Sequence, residues 1–376
     1  MSVQSASGTK LASHIPSLDG LRAFSVALVL IGHVAATHGA PAWMDRPIIT
    51  SLGNIGVRFF FLISGFLITS LLMREHARHG QINLRHFYIR RAYRILPAAL
   101  VYIGVIWACH LAGWIDLSFH IATKTTAESA LPDLLHALTF TANYNHDYNW
   151  YYNHLWSLSV EEQFYLLWPF VLLYLGKAHG RWACVAAMLA CPVIRAAMYT
   201  WGDAPEIAMN REFQAIADAL ATGCLAALLH QQIGQSRLAL RFLMHPLLPL
   251  MVGAGLLAMG YGSALVSRPF AYIVGQVFSN LGIIIVLQHV IRSPNTWAGQ
   301  ILNWRPMVWV GTMSYSLYLW QEPFLYFHLD HWLTGFPLNL LLSFVAAWLS
   351  YRLIEKPFLK LREKLHPTPE PNRSTA

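Results

Sequence analysis

The chain has 376 residues, of which 56% are hydrophobic and only 12% are charged. A soluble domain carries about twice that charged fraction, so the composition excludes an ordinary soluble protein and predicts an all-α, polytopic membrane protein. The formal net charge of +8 raises the question of nucleic-acid binding. The basic residues, however, are placed as the topology of a membrane protein requires, and we expect no nucleic-acid partner.

Hydropathy along the chain predicts about ten transmembrane helices. With the N-terminus in the cytoplasm, most arginines and lysines fall in inner loops, whereas the outer loops are mainly acidic. This asymmetry follows the positive-inside rule and places both termini in the cytoplasm. We expect a cytoplasmic segment at 1–16, a transmembrane domain at 17–358 and a cytoplasmic tail at 359–376. The predicted apolar segments are 18–37, 52–73, 95–114, 156–175, 182–200, 213–231, 246–262, 270–290, 306–327 and 337–353.

The first apolar segment, SLDGLRAFSVALVLIGHV, contains two ionisable residues, Arg22 and His33. Their spacing is about three helical turns, so both side chains lie on one stripe of a helix, about 16 Å apart along its axis. Ionisable groups in lipid are costly and mark functional sites. We therefore interpret His33 as functional, the alternative being a histidine that only forms a hydrogen bond between helices. Asp19 is interpreted as a helix N-cap.

The inner loop before the third segment ends in FYIRRAYRILP, with Arg91 and Arg94 at positions i and i+3 of a predicted amphipathic helix. Paired arginines on one helix face can bind phosphates through charge-assisted, forked hydrogen bonds. Arginines of inner loops also set topology and bind anionic lipids. The residues alone leave both interpretations open.

The longest outer loop, 116–155, ends in NYNHDYNWYYNHLW, which combines aromatic side chains with amides. Aromatic rings offer apolar faces to sugars, and amides offer donors and acceptors to hydroxyl groups. An aromatic belt at the membrane interface is the alternative, but the number of asparagines favours a site for a polar acceptor. The candidate residues are Tyr152, Asn153, His154 and Trp156.

Carboxylates occur beside the next apolar segment, in WSLSVEEQFYLLWP. A carboxylate close to a buried histidine can orient the ring and stabilise its protonated form, and Glu161 is our candidate for this role. Farther along the chain, we expect Arg195 and Asp218 to pair across adjacent helices.

Six motifs in this order resemble the acyltransferase-3 family of membrane O-acyltransferases, and they cover nearly the whole chain. One departure is Gln321–Glu322, where many members have a histidine followed by an aromatic or polar residue, so neither residue receives a role. The matching motifs are Arg22 and His33 with ten residues between them, SGFLI (64–68), Arg91-x-x-Arg94, HLWSLSVEEQFY (154–165), YSLYLWQEP (315–323) and YRLIEKPF (351–358).

The resemblance implies an acyltransferase-3 domain at 17–358, without the hydrolase-like domain that some relatives append. It implies a bacterial inner-membrane enzyme that moves an acyl group, expected to be acetyl, from cytoplasmic acyl-CoA to a sugar hydroxyl. The acceptor would be an extracytoplasmic or lipid-linked glycan such as exopolysaccharide or lipopolysaccharide. Acyl-CoA would be a substrate, with no permanently bound cofactor, and the cysteines lack the spacing of a metal site.

Donor binding is assigned to three residues under this resemblance. Arg91 and Arg94 would hold the phosphates of CoA, and Glu355, which matches a carboxylate of the family, would order the two arginines. Arg22 would position the donor or neutralise charge that develops along the shared stripe.

The chemical step is assigned to His33 as general base on the acceptor hydroxyl, with Glu161 orienting its ring. A covalent acyl-enzyme through a serine or tyrosine stays open. The alternative function is an ion- or substrate-coupled transporter, because intramembrane charges also mark ion paths. Transporters commonly contain internal repeats, and we find no such correspondence between parts of this sequence.

Overall fold

The computed structural model describes residues 15–120, 123–201, 206–266, 270–326 and 331–365, the side chains of 260–266 excepted. This part of the chain is mostly helical, which confirms the predicted fold class. The α-helices are α1 (Pro16–Val34), α2 (Pro47–Thr50), α3 (Leu52–His79), α4 (Leu84–Leu111), α5 (Leu131–Leu138), α6 (Trp150–Asn153), α7 (Leu155–Trp201), α8 (Ala208–Arg211), α9 (Phe213–Leu228), α10 (His230–Gln235), α11 (Arg237–Leu243), α12 (Leu248–Val266), α13 (Gln276–Arg292), α14 (Trp297–Leu302), α15 (Arg305–Thr312), α16 (Ser314–Trp320), α17 (Leu338–Ser350) and α18 (Lys356–Leu365).

Short elements connect these helices. Ala42–Met44 and Ala142–Tyr144 are 3₁₀ turns, and Ala271–Gly275 and Tyr351–Glu355 are π-helical turns. One antiparallel pair of two-residue strands, β1 (Phe119–His120) and β2 (Thr125–Thr126), aligns Phe119 with Thr126. Most of the predicted segment 1–16 and the end of the predicted tail 359–376 lie outside the described residues.

Six stretches of helix in the described part are long and apolar enough to cross a membrane, and a seventh is obtained by joining the bent pair α11 and α12. The predicted number of about ten spans is therefore not confirmed. One reason is that several apolar segments fold into helices shorter than a single crossing, which takes about 20 residues. The helix α9 has 16 residues, and α15 and α16 are separated at Met313.

Two predicted segments, 156–175 and 182–200, belong to one 47-residue helix, α7. Its path bends at Gly176, which has φ 65° and ψ −176°, a non-helical conformation. A glycine tolerates this positive φ without a Cβ clash. The bend divides α7 into two arms that correspond to the two predicted segments.

The first helix lies at the centre of the described bundle. Leu21, Val26 and Val29 of α1 are at most 1% exposed, and α1 packs against α3, α14 and α15. Pro16 occupies the first turn, where its fixed φ favours helix initiation. Gly311 of α15 allows close contact, because a Cβ there would collide with the main-chain carbonyl of Asp19. Burial of α1 on several sides explains why its polar residues face protein.

The helices α3 and α9 contact each other through two glycines. A Cβ on Gly65 would collide with the carbonyl of Leu220, and a Cβ on Gly223 would collide with the carbonyl of Leu62. Small residues allow such close backbone approach in membrane proteins. The pair fixes α3 beside α9, and α3 carries one of the side chains that line the site described below.

The predicted pair of Arg195 and Asp218 is confirmed. Arg195 Nη2 lies 2.9 Å from Asp218 Oδ2, and both side chains are at most 2% exposed. Arg195 also donates to the main-chain carbonyl of Ala215. The contact joins α7 to α9. Asp218 supplies the counter-charge that the buried Arg195 needs in low-dielectric surroundings.

Glycine-to-alanine substitutions test the α3–α9 contact. Gly223→Ala should destabilise the protein by about 1–3 kcal/mol, because an added methyl group in a close-packed contact forces the helices apart. The control is Gly104→Ala in α4, where a Cβ would meet nothing within 4 Å. Thermal unfolding in one detergent should show a lower transition temperature for Gly223→Ala alone. Equal transitions would contradict the described packing.

Candidate active site

Two groups of polar side chains contact α1 at different heights. Since α1 is unbroken from Pro16 to Val34, the positions of Arg22 and His33 are about 16 Å apart along its axis. We call the group at the first position the arginine cluster, which comprises Arg22, Arg91, Arg94, Glu161, Tyr165 and Glu355. We call the group at the second position the histidine cluster, which comprises His33, Trp150, His154 and Glu322.

The arginine cluster borders a cavity. Three guanidinium groups reach its wall, one from α1 and two from α4, whereas one carboxylate, Glu161, reaches it from α7. Guanidinium groups bind phosphates and carboxylates by forked hydrogen bonds, so the charge balance of the cavity suits an anionic ligand. Its polar lining residues are Arg22, Ser64, Arg91, Arg94, Ser157, Glu161, Tyr165, Ser314, Tyr315 and Tyr318.

The two arginines of α4 have different neighbours. Arg94 Nη1 lies 3.6 Å from Glu355 Oε1, and Ser316 donates to the other oxygen of Glu355 at 2.9 Å. The guanidinium of Arg91 lies 5.3 Å from the centre of the Tyr165 ring, within the range of a cation–π contact. Among the described residues, Arg94 is therefore held by a buried carboxylate, whereas Arg91 contacts the rings of Phe87 and Tyr165 and forms no ion pair within 4 Å.

Glu161 lies in the arginine cluster, where it accepts hydrogen bonds from Ser64 Oγ and Tyr165 OH, both at 2.9 Å. This corrects the predicted contact between Glu161 and His33. The physical reason is the helical rise, because Glu161 follows His154 by seven residues and so lies about 10 Å farther along the helix. Any role of Glu161 in the reaction is therefore expected in the cavity of the arginine cluster.

The carboxylate beside His33 is Glu322, to which the sequence assigned no role. His33 Nδ1 lies 3.5 Å from Glu322 Oε2, and His154 Nδ1 lies 3.9 Å from Glu322 Oε1. The Glu322 side chain is 0% exposed, and that of His33 is 27% exposed. One buried carboxylate therefore lies between two imidazoles, of which only His33 retains access to a cavity or solvent.

Two of the predicted acceptor residues are packed into the protein. Tyr152 is 3% exposed and donates to the main-chain carbonyl of Ile103 at 3.0 Å. Trp156 is 9% exposed, and the guanidinium of Arg211 lies 5.5 Å from its ring. Their contacts identify both residues as supports of the surrounding wall.

The other two predicted acceptor residues lie elsewhere. His154 belongs to the histidine cluster. The Oδ1 atom of Asn153 is buried and has no hydrogen-bond partner among the described residues; Asn153 borders a small pocket together with Tyr148. The structure thus distributes the four residues over several surroundings, although they are nearly consecutive in the chain.

Tyr318 and Ser157 connect the two clusters. Their hydroxyl groups are 2.6 Å apart, and both residues line the cavity of the arginine cluster. Tyr318 donates to the main-chain carbonyl of His154 at 3.0 Å, and its ring lies 5.5 Å from the His154 ring. Tyr318 therefore lines the cavity of the arginine cluster and also contacts His154 of the histidine cluster.

A signal for Ser157 and Tyr165, to which the sequence analysis gave no role, exists in the sequence. His154, Ser157, Glu161 and Tyr165 recur at i, i+3, i+7 and i+11, which is the spacing of one helix face. Reading the motif HLWSLSVEEQFY as a helix with one polar stripe would have placed all four residues on the same wall.

The sequence profile of the acyltransferase domain family matches residues 15–352. The chain belongs to this acyltransferase family. The matched range contains every residue of the two clusters except Glu355, which lies just beyond it. No solved structure matches the chain.

Curated relatives share this region. The chain is 29% identical over 381 residues to YrhL of Bacillus subtilis strain 168, named as a candidate peptidoglycan O-acetyltransferase, and the match covers 92% of this chain and 55% of YrhL. It is 28% identical over 382 residues to the O-acetyltransferase OatA of Staphylococcus aureus, covering 92% of this chain and 57% of OatA. The peptidoglycan O-acetyltransferase OatA of Listeria monocytogenes is 28% identical over 379 residues, covering 92% and 56%. The chain thus spans about half the length of these relatives.

A double-mutant cycle tests the contact between Arg94 and Glu355. Arg94→Gln should cost about 1–3 kcal/mol of stability, because the buried Glu355 carboxylate then keeps only its bond from Ser316. The double variant with Glu355→Gln should lose less than the two single variants together, as measured by thermal unfolding.

The control cycle uses Arg362 and Glu363, whose atoms are 3.2 Å apart while Glu363 is 68% exposed. An exposed ion pair contributes about 0–1 kcal/mol, so its coupling should be smaller. Additive effects at Arg94 and Glu355 would show that the contact carries no free energy.

Proposed function

We propose that this protein transfers an acyl group, expected to be acetyl, from cytoplasmic acyl-CoA to a sugar hydroxyl on the other side of a bacterial inner membrane. The observation that carries this proposal is the arrangement of an arginine-lined cavity and a histidine cluster at two heights of the same helix. Family membership supports acyl transfer, and relatives are named O-acetyltransferases. Membership in an acyltransferase family does not favour the transporter alternative.

Acyl-CoA is assigned to the cavity of the arginine cluster. Its phosphates are anionic, and Arg91 and Arg94 can form forked hydrogen bonds to them. Arg22 is assigned to the same ligand, because its side chain lines this cavity and lies away from the histidine cluster. Glu355 holds Arg94 in place, and Glu161 holds Ser64 and Tyr165 on the opposite wall. The donor is a substrate, and the mechanism uses no permanently bound cofactor.

The chemical step is assigned to His33. The acceptor hydroxyl attacks the thioester carbonyl, its proton passes to His33, the new C–O bond forms and the C–S bond breaks. The CoA thiolate leaves and recovers the proton from the imidazolium. Histidine suits this exchange, because its unperturbed pKa lies nearest to neutral pH among the side chains. The arginines that hold the donor phosphates lie far from His33, so the donor must be an extended molecule. The pantetheine arm of CoA provides this length.

The acceptor is proposed to be an extracytoplasmic or lipid-linked glycan. The names of the relatives favour peptidoglycan as a candidate, beside exopolysaccharide and lipopolysaccharide. Asn153 is the proposed acceptor contact, because its buried Oδ1 has no hydrogen-bond partner among the described residues, and Tyr152, His154 and Trp156 are proposed to shape the wall behind it. Their aromatic and amide groups suit a sugar ring with hydroxyl substituents.

A deletion strain tests the proposal and identifies the acceptor. Mass spectrometry of the peptidoglycan and polysaccharide fractions should show one fraction that loses acetyl groups on deletion and regains them with the parental gene. His33→Gln should not restore them, because an amide does not accept the proton. Immunoblots should confirm equal amounts of both proteins in the membrane. Unchanged acetylation in all fractions, or full restoration by His33→Gln, would contradict the proposal.

Direct binding tests the donor site. Arg91→Ala should weaken CoA binding to the purified protein in nanodiscs by about tenfold or more, since a charge-assisted bond contributes about 1.5–3 kcal/mol. Arg91→Lys should restore binding only in part, because lysine lacks the planar fork. Isothermal titration with CoA is the measurement.

The matched control for donor binding is Arg85→Ala. Arg85 lies on the same helix and is exposed outside the cavity, so its loss removes an equal charge without removing a cavity contact. If Arg85→Ala weakened CoA binding as much as Arg91→Ala, the loss would reflect the overall charge of the protein and would not identify a binding site at Arg91.

A further inference from the structure

Glu322 has surroundings that packing alone does not explain. Its side chain is fully buried, and neither carboxylate oxygen has a conventional hydrogen bond among the described residues. Burying a carboxylate without compensating contacts is costly. Asp218 and Glu355, two buried carboxylates discussed above, each have an arginine partner, whereas Glu322 has the rings of His33 and His154 within 4 Å and Arg211 as a more distant positive charge.

The backbone of Glu322 is held in place. Trp150 Nε1 donates to the main-chain carbonyl of Glu322 at 2.7 Å, directly after α16 ends at Trp320. The Trp150 ring also lies 5.7 Å from the His33 ring, so one side chain contacts both residues. Glu322 therefore presents its carboxylate to His33 from a fixed position.

The second imidazole limits where the carboxylate can turn. His154 lies between two aromatic rings, with 5.2 Å between its centre and that of Tyr102 and 5.5 Å to that of Tyr318. It is 2% exposed, and its Nδ1 is nearest to the oxygen of Glu322 that does not face His33. The two carboxylate oxygens are thus directed to two different rings.

We propose that Glu322 is the positioning residue of His33, holding the proton on Nδ1 so that Nε2 stays free to take the proton of the acceptor hydroxyl. This inference rests on the proposed function. The nitrogen that carries the proton in a neutral imidazole is set by the hydrogen bond that the other nitrogen makes. An ionised carboxylate can only accept, so the ionised form of Glu322 beside Nδ1 selects the tautomer with a basic Nε2 and fixes the ring plane.

The 3.5 Å separation is slightly longer than a hydrogen bond. Catalytic hydrogen bonds are often long without substrate and shorten in the complex. During transfer, the proton of the hydroxyl moves to Nε2 and later to the CoA thiolate, while the Nδ1 proton stays between His33 and Glu322. No oxidant, metal or further reactant enters this balance.

The test compares Glu322→Gln with Glu322→Asp. Glutamine has the same shape but is neutral and can present either its NH2 group or its carbonyl oxygen to Nδ1, so it no longer fixes the tautomer with a basic Nε2. We expect kcat for acetyl transfer to fall by about 10²–10⁴-fold, the usual contribution of general base catalysis, while KM for acetyl-CoA changes little. Aspartate keeps a carboxylate beside His33 but has a shorter side chain, so kcat of the Glu322→Asp variant should lie between those of the glutamine variant and the parent.

The assay uses membrane vesicles with the cytoplasmic face outward, prepared from the deletion strain expressing each variant. Such vesicles contain the cell's own acceptors, and radiolabelled acetyl-CoA is the probe. Asp218→Asn is the matched control, because it removes a buried carboxylate that lies outside both clusters. It should lower thermal stability and leave kcat per folded protein near that of the parent.

Two results would overturn the inference. One is a kcat of Glu322→Gln near the parental value. The other is a loss of kcat in Glu322→Gln that Glu322→Asp does not reduce, together with weaker CoA binding or with a thermal destabilisation like that of Asp218→Asn. This combination would indicate a structural role. Failure of the proposed function is recognised separately, since the parental protein would then transfer no acetyl group in the same vesicles.

Discussion

The arrangement of this protein depends on the cost of placing ionisable side chains in apolar surroundings. A charged group inside a membrane needs protein partners or a polar cavity, and α1 carries one such group at each of two heights. Arg22 meets a cavity with two further arginines, and His33 meets a buried carboxylate. Because one helix carries both residues, their separation cannot change without breaking α1.

The polar residues of α7 meet the same two clusters as those of α1, but in the reverse order along the chain. Its residues Glu161 and Tyr165 lie with Arg22, and its N-terminal neighbour His154 lies with His33 through Glu322. The two stripes therefore run antiparallel and contribute to the same two clusters. Tyr318 and Ser157 line the cavity of the arginine cluster, and Tyr318 also contacts His154.

The two clusters suit different tasks because their charges differ. Three arginines against one lining carboxylate favour an anion, whereas two histidines around one carboxylate favour movement of a proton. Under the proposed function, placing these tasks at two heights would let a cytoplasmic donor and an acceptor of the other side meet without either crossing fully. This separation is the feature that the proposed function requires.

The sequence by itself determined the fold class, the helical stripe of Arg22 and His33, the pairing of Arg91 with Arg94 on one face and the family. Those features follow from composition and from spacing within single helices, which are local properties. Tertiary structure alone decided the number of long helices and the carboxylate that His33 meets. Glu161 and Glu322 are both acidic residues near apolar segments, and nothing in local spacing ranks them. Which one lies beside His33 depends on how distant helices pack, since the rise along α7 carries Glu161 away to the arginines while the turn after α16 brings Glu322 to the histidine.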